Sequence, residues 1–561
     1  MDSLGEPSFH FVAFKEPRGK GRTRGGNSLS EARSHAARVS HKQRKQARQE
    51  NANRDLVWVN QTTNSKSVTG SSTLLTTRTK VPPSPWSLLP QHKSDPFGSH
   101  QMEVLPKYLI DCLEYAYEHV HPTLILGATS SHRAMITTSW RRLGLEWPLM
   151  YHLQVASAAN IVRASGKTTP LPTHMEISIL NHQSEGLLLI QDELQTLKGA
   201  PSDALLMAMV MAGMLANPVT SQMPETFRLS PLATASKMHI YGKLDVVPET
   251  HHVLVDMVNR RGGILTVKTY GMRSILQIAD LQFATRFGVV PSFPWVYESL
   301  LFTREHEKLK SSTGFDQCFQ YTSIDPDLSL ALRSAAEVTI LLEKHRTHPE
   351  NATRLADLVF AADEVHHRLM SIEEFRFLDT DPTSVLQDIC RWAALIYSDL
   401  VLFPLPAATK IKPRLAGKLK DAIKRLETVA TTSNLAQSTL LSPDVSNVLL
   451  WALMLGGFAS IFSPHSAWYT RTLARYLNLQ FQLSKSSREP DWQDFKAIMS
   501  SFLWWDFIFE EPGARLWWEA RLSYSPENSS GLSSGSDVLS TLSSSDAGWS
   551  PLTWPSQSLS P

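Results

Sequence analysis

The fold is decided by the stretch VSNVLLWALMLGGFASI, Val445–Ile461. From Val448 onward the stretch has no charged side chain, so a helix built from it has no polar face to turn to water. Its apolar run is shorter than the ~20 residues that span a bilayer. We therefore predict an internal helix that contains Trp451 and is covered all round by other helices. Gly456 and Gly457 would let a neighbouring backbone approach it closely.

From about Met102 onward the sequence consists of long segments with apolar residues three and four positions apart, separated by Pro or Gly. Only Gly263–Tyr270 is typical of a short strand, and one strand does not make a sheet. We predict an all-α fold, a large array of about fourteen stacked antiparallel helices. The clearest other helical segments are Val104–Val120, Pro148–Arg163, Thr173–Leu197, Asp203–Ala216, Val246–Asn259, Leu328–His345, Asn351–Leu369, Pro382–Val401, Arg414–Ala430, Trp468–Leu483 and Trp492–Phe509.

Composition divides the chain into four parts. Residues 1–55 form a basic arm, because residues 11–54 contain twelve Lys or Arg and three Glu while the whole chain carries a net charge of only +2. Residues 56–94 are a Ser/Thr/Pro linker and residues 525–561 a Ser-rich tail, and neither can bury enough apolar area to fold alone. We predict that the arm and the tail are disordered and that residues 95–524 form the helical domain.

The three cysteines exclude a disulfide framework and a cysteine-based zinc module. Cys112, Cys318 and Cys390 lie far apart, with no C-x-x-C pair. The first residues, MDSLGEPSFHF, lack the cationic and apolar regions of a signal peptide. We expect a protein of a reducing compartment that binds no membrane.

A central block, VVPETHHVLVDMVNRRGGILTVKTYGMRSILQIADLQFATRFGVVPSFP at residues 246–294, resembles the fungal-specific transcription factor domain. That family's domain usually follows a binuclear zinc-cluster module. Thr250 and Val253 depart from the His and first Gly of its pattern. The matching positions are Leu254, Met257, Val258, Arg261, Gly262, Gly263, Ile278, Asp280, Ala284, Pro291, Phe293 and Pro294.

Three further sequence motifs are similar to motifs of this family. Asp95-Pro96-Phe97 stands before the first apolar helix, and the LLWALMLGGFAS segment around Trp451 is followed by Trp468. The phrase FHFVAF, Phe9–Phe14, precedes a basic stretch, as in members that lack the zinc cluster. The resemblance implies a helical regulatory domain in a nuclear transcription regulator of a fungus.

The motif residues are also readable as folding signals. Arg261 followed by Gly262 and Gly263 predicts the end of a helix, with a cation near its negative end and glycines where φ is positive. The sequence Pro291-Ser-Phe293-Pro ends another helix and anchors a turn with an aromatic side chain. Neither pattern resembles a ligand site.

Six basic side chains lie close together in the arm: Arg33, Arg38, Lys42, Arg44, Lys45 and Arg48. On a helix they would neutralise phosphates and contact a major groove in a salt-sensitive way. The cluster His41–Lys45 also suits a nuclear-import signal, and a solvated tail without a fixed target is the third interpretation. With no zinc cluster or leucine zipper to make it rigid, the arm alone is a weak source of sequence specificity.

Catalytic and metal-binding patterns are not found in the sequence. The best candidates, Asp363, Glu364, His366 and His367, could share a helical face, but no second histidine cluster has matching spacing. We therefore interpret the two histidines as surface or capping residues. With no nucleophile elbow, phosphate-binding loop or H-E-x-x-H motif, we expect no enzyme, no metal and no cofactor.

The aromatic end of the domain predicts a buried or docked helix. The segment FLWWDFIF, Phe502–Phe509, and the pair Trp517-Trp518 place apolar bulk in nearly every direction of a helix. A terminal core helix is the favoured interpretation, and a dimer or partner surface is the alternative.

We therefore predict a non-enzymatic nuclear regulator that uses its arm for import and for possible DNA contact. Its expected partners are DNA and other transcription proteins, and a homodimer is left open. Two alternatives stand beside it: a scaffold or co-regulator without DNA binding, and a receptor whose helical body binds a small molecule.

Overall fold

The structure is a computed structural model. It describes residues 105–124, 130–166, 172–214, 225–297, 301, 314–319, 324–373, 381–432, 442–484 and 491–523. The arm, the linker, Asp95-Pro96-Phe97 and the tail lie outside these residues.

The described residues form eighteen α-helices. They are α1 Lys107–Tyr115, α2 Ser130–Glu146, α3 Pro148–Ala164, α4 Thr173–Thr196, α5 Asp203–Met214, α6 Pro231–Ala235, α7 Met238–Tyr241, α8 Pro248–Arg260, α9 Met272–Phe287, α10 Gly314–Cys318, α11 Pro326–Thr347, α12 Leu355–Ser371, α13 Pro382–Tyr397, α14 Ile411–Thr432, α15 Pro443–Ala459, α16 Ser466–Ser484, α17 Trp492–Met499 and α18 Asp506–Ser523. No strand occurs among them, which confirms the all-α prediction. The predicted number of about fourteen is too low, chiefly because α6, α7 and α10 are only four or five residues long.

Capping residues and prolines set where many helices begin. Asp325 accepts hydrogen bonds from the backbone of Asp327 and Leu328 at the start of α11, and Asp381 accepts one from Ser384 at the start of α13. Proline follows each of these caps. At this first helical position a backbone N–H would have no acceptor within the helix, so the lack of one in proline costs nothing. These signals are local, so the sequence alone places the helix starts well.

Helices that follow one another pack together. The pairs α3–α4, α11–α12, α13–α14 and α15–α16 share extensive contacts. One core runs through most of the helices, and a smaller one joins α1, α3 and α4 around Leu109, Val155 and Ile179. Pairwise packing of neighbours is what short connections between amphipathic helices favour.

Helix α15 lies inside the larger core, as its sequence predicts. Trp451 is fully buried, and its indole N–H donates to the carbonyl of Leu503 at 2.8 Å. The rings of Phe315 and Phe502 lie 5.1 and 5.7 Å from it, centroid to centroid. The tryptophan therefore joins α15 to α10 and to the segment before α18.

The prediction for the glycine pair of α15 was wrong in its detail. A Cβ atom on Gly456 would lie 2.1 Å from the ring of Tyr469, and one on Gly457 would lie 2.5 Å from the side chain of Leu516. The glycines thus make room for large side chains of α16 and α18, where we expected a close backbone.

The short strand predicted at Gly263–Tyr270 does not form. Ile264–Thr266 makes one turn of 3-10 helix, in which Thr266 Oγ1 donates to the carbonyl of Gly263 at 2.7 Å. The carboxyl group of Asp203 accepts hydrogen bonds from the backbone N–H groups of Lys268 and Thr269. These N–H groups are the donors that a strand would need.

The single helix predicted at Trp492–Phe509 is two helices. Helix α17 ends at Met499, and α18 begins at Asp506. Ser501 Oγ donates to the carbonyl of Ile498 at 2.7 Å, a local side-chain bond that competes with helix propagation. Because the connecting residues are not helical, Phe502, Leu503, Trp504 and Trp505 can all turn inward and are buried. No helix among the described residues is long and apolar enough to cross a membrane.

We predict that Trp451→Ala lowers the free energy of unfolding by about 3–5 kcal/mol, because it removes a fully buried ring and leaves a void. Thermal and chemical unfolding of the purified chain measure the loss. Trp518→Ala is the matched control, since that side chain is 55% exposed. Equal melting temperatures for both variants would contradict the packing described above.

Candidate functional site

The motif Arg261-Gly262-Gly263 ends α8, as predicted. Gly262 and Gly263 have φ angles of 101° and 92°, a region that favours glycine. The backbone N–H of Gly263 donates to the carbonyl of Val258 at 2.9 Å, which closes the helix end.

Arg261 does more than place a cation near a helix end. It forms an ion pair with Asp203 at the start of α5 and donates to the carbonyls of Pro201 and Thr266, at 3.0 and 3.1 Å. Burial alone would raise the pKa of Asp203. Hydrogen bonds from Thr269 and the guanidinium of Arg261 outweigh this effect and hold that pKa below its ordinary value. The result is a charged clamp between α5, α8 and the loop before α9.

Asp280 of α9 lies at the centre of a second junction. Its Oδ2 accepts the backbone N–H of Phe293 at 2.8 Å, and its Oδ1 lies 3.0 Å from His251 Nε2 of α8. His367 of α12 places Nε2 2.9 Å from the carbonyl oxygen of Phe293. All four residues are buried. We call this set, His251, Asp280, Phe293 and His367, the Asp280 junction.

Two further contacts fix the same region. The ring of His251 stacks on Phe283 with 3.8 Å between centroids. Gln277 Nε2 donates to the carbonyl of Pro294 at 2.7 Å. The segment after α9 is thus held by two side chains of α9 and one of α12. The prediction that Pro291–Pro294 ends the helix was wrong, because α9 already ends at Phe287, where Gly288 has a φ angle of 70°.

The prediction that the histidines of the group Asp363, Glu364, His366 and His367 are surface or capping residues was wrong. All four are buried in α12. Both ring nitrogens of His366 have hydroxyl partners at 2.8 Å, Nδ1 with Ser398 and Nε2 with Thr285, and the ring stacks on Phe403. Because these polar groups are satisfied by partners far away in sequence, the segment alone cannot reveal their burial.

Burial controls the charge of the side chains in α12. It lowers the pKa of His366 to about 3, with a smaller contribution from His367. Burial also raises the pKa of Asp363 well above its usual range. The imidazole of His366 is therefore neutral at intermediate pH, and burial disfavours the charged form of Asp363.

No group of three or more His, Cys, Asp or Glu side chains within the described residues could hold a metal ion. The Asp280 junction resembles a His–Asp pair of an active site, but it is closed to solvent, and Asp280 and His367 both bind backbone atoms of Phe293. Its geometry therefore supports a positioning role between helices.

A small cavity of about 40 Å³, partly open to the surface, lies between α2, α5, α7 and α9. Its volume suits one or two water molecules. Three of its polar groups come from His121, Trp140 and Tyr241. The tyrosine hydroxyl lies 3.4 Å from His121 Nδ1, and the buried indole N–H of Trp140 has no acceptor among the described residues. Burial lowers the pKa of His121 to about 3, so its ring is a neutral hydrogen-bonding group.

The structure thus brings some of the predicted motif residues together and separates others. Asp280 and Phe293 meet in the Asp280 junction, and Phe293 is two residues from Pro291 in sequence. Arg261 lies elsewhere, in the ion pair with Asp203. Trp451 belongs to a separate part of the core. The six basic residues of the arm lie outside the described residues. Sequence reasoning missed Asp203, an acid in the first turn of an apolar helix, and His251, a polar residue within a helical pattern. It named His367 but gave it the wrong place.

No protein-family model, curated protein or solved structure matched the chain. The functional assignment accordingly depends on the residues and their geometry.

We predict that His366→Gln reduces the pH dependence of stability. Below about pH 6.5 the unfolded chain binds a proton at His366 that the folded protein, with its pKa of about 3, does not bind. The free energy of unfolding therefore falls as the pH is lowered, and at pH 5 this residue alone costs about 2 kcal/mol. Glutamine keeps hydrogen-bonding groups for Ser398 and Thr285 but does not titrate.

Chemical unfolding at pH 7 and pH 5 checks this expectation. The parent should lose about 2 kcal/mol more than the variant between the two pH values. Asp363, whose raised pKa gives the opposite sign, is present in both proteins and cancels from the comparison. Equal losses in parent and variant would show that His366 is not buried as a neutral ring.

Proposed function

We propose that the protein is a non-enzymatic transcription regulator of a fungal nucleus. Its helical body would serve as a regulatory domain and its basic arm would serve import and DNA contact. The resemblance of residues 246–294 to the fungal-specific transcription factor domain is the starting point, and the geometry supports it.

The observation that carries the proposal is the role of the motif residues. Asp280 and Phe293 are thirteen residues apart in the family pattern, a spacing that helix periodicity does not explain. The backbone N–H of Phe293 nevertheless donates directly to Asp280. Arg261 similarly joins two helices and a loop. Residues that hold a fold together are those whose order and spacing persist in a sequence pattern. The residues of the family pattern are thus the ones that make these contacts, which supports membership of a family that shares this helical body.

The arm supplies the electrostatic part of the proposal. Twelve Lys or Arg against three Glu at residues 11–54 give a strongly cationic segment on a chain of net charge +2. Such a segment displaces counterions from phosphates, so its contact with DNA weakens as salt rises. Because phosphate contacts carry no sequence information, selection of a promoter would need partner proteins as well.

A receptor for a small molecule is a second candidate function. The cavity beside Trp140 favours it, because the indole N–H is a buried donor without an acceptor among the described residues. Met207, Met211 and Met238 line the cavity, and methionine side chains repack readily around a bound group. The volume of about 40 Å³ limits any occupant without such repacking to a very small one.

We predict that the full chain shifts duplex DNA in a mobility assay and that the shift weakens steeply with salt. Changing Arg33, Arg38, Lys42, Arg44, Lys45 and Arg48 to Gln should remove most of the affinity. It should also reduce the slope of log affinity against log salt by up to about 5, because each neutralised phosphate contributes about 0.9.

A matched control changes six exposed cations of the body to Gln: Lys107, Arg142, Lys198, Lys268, Arg333 and Arg515. This variant should bind DNA almost as the parent does. If the arm variant keeps the affinity and the salt slope of the parent, the arm is not the DNA contact. If the parent itself shifts no DNA, the scaffold alternative replaces the proposal.

A further inference from the structure

Helix α4 exposes an apolar stripe. Ile177, Leu180, Leu187 and Leu188 are exposed by 53%, 52%, 39% and 59%. The opposite side of α4 packs on α3 and α5 and buries its own apolar residues, among them Ile179 and Ile190. At about 100° per residue the four exposed side chains fall on one face. An exposed apolar face of this kind is typical of an interaction surface.

The stripe has the symmetry of a surface that pairs with itself. Ile177 and Leu188 lie at equal distances from position 182.5, and Leu180 and Leu187 at equal distances from position 183.5. If two copies of α4 lie antiparallel with a two-fold axis near position 183, each Ile177 meets the Leu188 of the second copy. Leu180 likewise meets the second copy's Leu187. An isologous interface requires this reciprocity.

The charges beside the stripe obey the same symmetry. His174 and Asp192 are exposed, lie on the same side of the helix, and are centred on position 183. In the antiparallel arrangement each His174 faces the second copy's Asp192 at both ends of the interface. Antiparallel helices also set opposite dipole ends beside each other.

The middle of the stripe permits a close approach. Ser184 is small, exposed and central on the apolar face. Glu185, the exposed acid nearest the axis, faces the second copy's Asn181 in this register, so no two acids oppose each other there. Helix pairs with small central residues reach the shorter part of the 8–10 Å range of axis separations.

We propose that the protein forms a two-fold dimer in which the outer face of α4, Thr173–Thr196, packs antiparallel against the same face of a second copy. The inference goes beyond the proposed function and does not use it, since it needs no DNA and no arm. A dimer would, in addition, present two arms related by the same two-fold axis.

Sedimentation velocity of the full chain at micromolar concentrations tests the dimer. The parent should sediment as a dimer, and Leu180→Glu with Leu188→Glu should sediment as a monomer with an unchanged helical circular dichroism spectrum. Leu265→Glu with Leu522→Glu changes equally exposed leucines away from α4, at 62% and 77% exposure, and should remain a dimer. A monomeric parent, or a dimer that survives the change in α4, overturns the proposal.

Charge exchange tests the antiparallel register. Asp192→Lys should weaken the dimer, because it places a lysine opposite His174 of the second copy. Adding His174→Asp to the same chain should restore the dimer, because each introduced lysine then faces an introduced aspartate on the second copy. Failure of the double variant to recover would overturn this register.

A single cysteine gives an independent test of the axis. Ser184→Cys should form an intermolecular disulfide under mild oxidation, since a residue beside the axis lies near its own copy and disulfides need Cα atoms about 4.4–6.8 Å apart. Thr173→Cys, ten residues from the axis, should not cross-link. Cross-linking at Thr173→Cys but not at Ser184→Cys would contradict the arrangement.

Discussion

A buried carboxyl group needs hydrogen-bond partners inside the protein, and the partners of Asp280 come from the segments around it. It binds the backbone N–H of Phe293 and lies beside His251, while His367 binds the carbonyl of the same Phe293. Three helices and a turn thereby share one polar centre. A displacement of α8, α9 or α12 would leave at least one of these groups unpaired in the core, which fixes their relative positions far more narrowly than apolar contact alone.

The need of buried polar groups for partners also explains a difference between α12 and the Arg261 clamp. The ring of His366 in α12 is neutral, whereas Arg261 and Asp203 form an ion pair. His366 is fully enclosed, and burial keeps its ring neutral between Ser398 and Thr285. At the Arg261 clamp, burial also acts against the charge of Asp203, but hydrogen bonds from Thr269 and the guanidinium of Arg261 outweigh it, so opposite charges pair there. A rigid body of this kind is suited to holding surfaces for partners in fixed positions. The proposed function separates that role from the electrostatic role of the arm.

Local signals made much of the fold predictable. The apolar run of α15 and the helix end at Gly262-Gly263 need only propensity, periodicity and backbone conformation. The errors arose where tertiary contacts decide. Asp203 takes the N–H groups of the segment expected to be a strand, and the partners that bury His366 are eighty-one and thirty-two residues away. The exposed face of α4 is also invisible in the sequence, because periodicity shows which faces are apolar but not which one is covered.

Hydrogen–deuterium exchange combined with chemical unfolding of Asp280→Ala tests the account most directly. Removing the carboxyl leaves the Phe293 N–H and His251 Nε2 without partners in the core. Each unsatisfied group costs about 1–3 kcal/mol, so the variant should lose about 2–6 kcal/mol. The amides of residues 291–297 and of α12 should exchange faster. Asp256→Ala, an exposed acid on α8, is the control and should change neither quantity. If Asp280→Ala stays within about 0.5 kcal/mol of the parent and residues 291–297 keep their protection, the junction is not what holds these helices together.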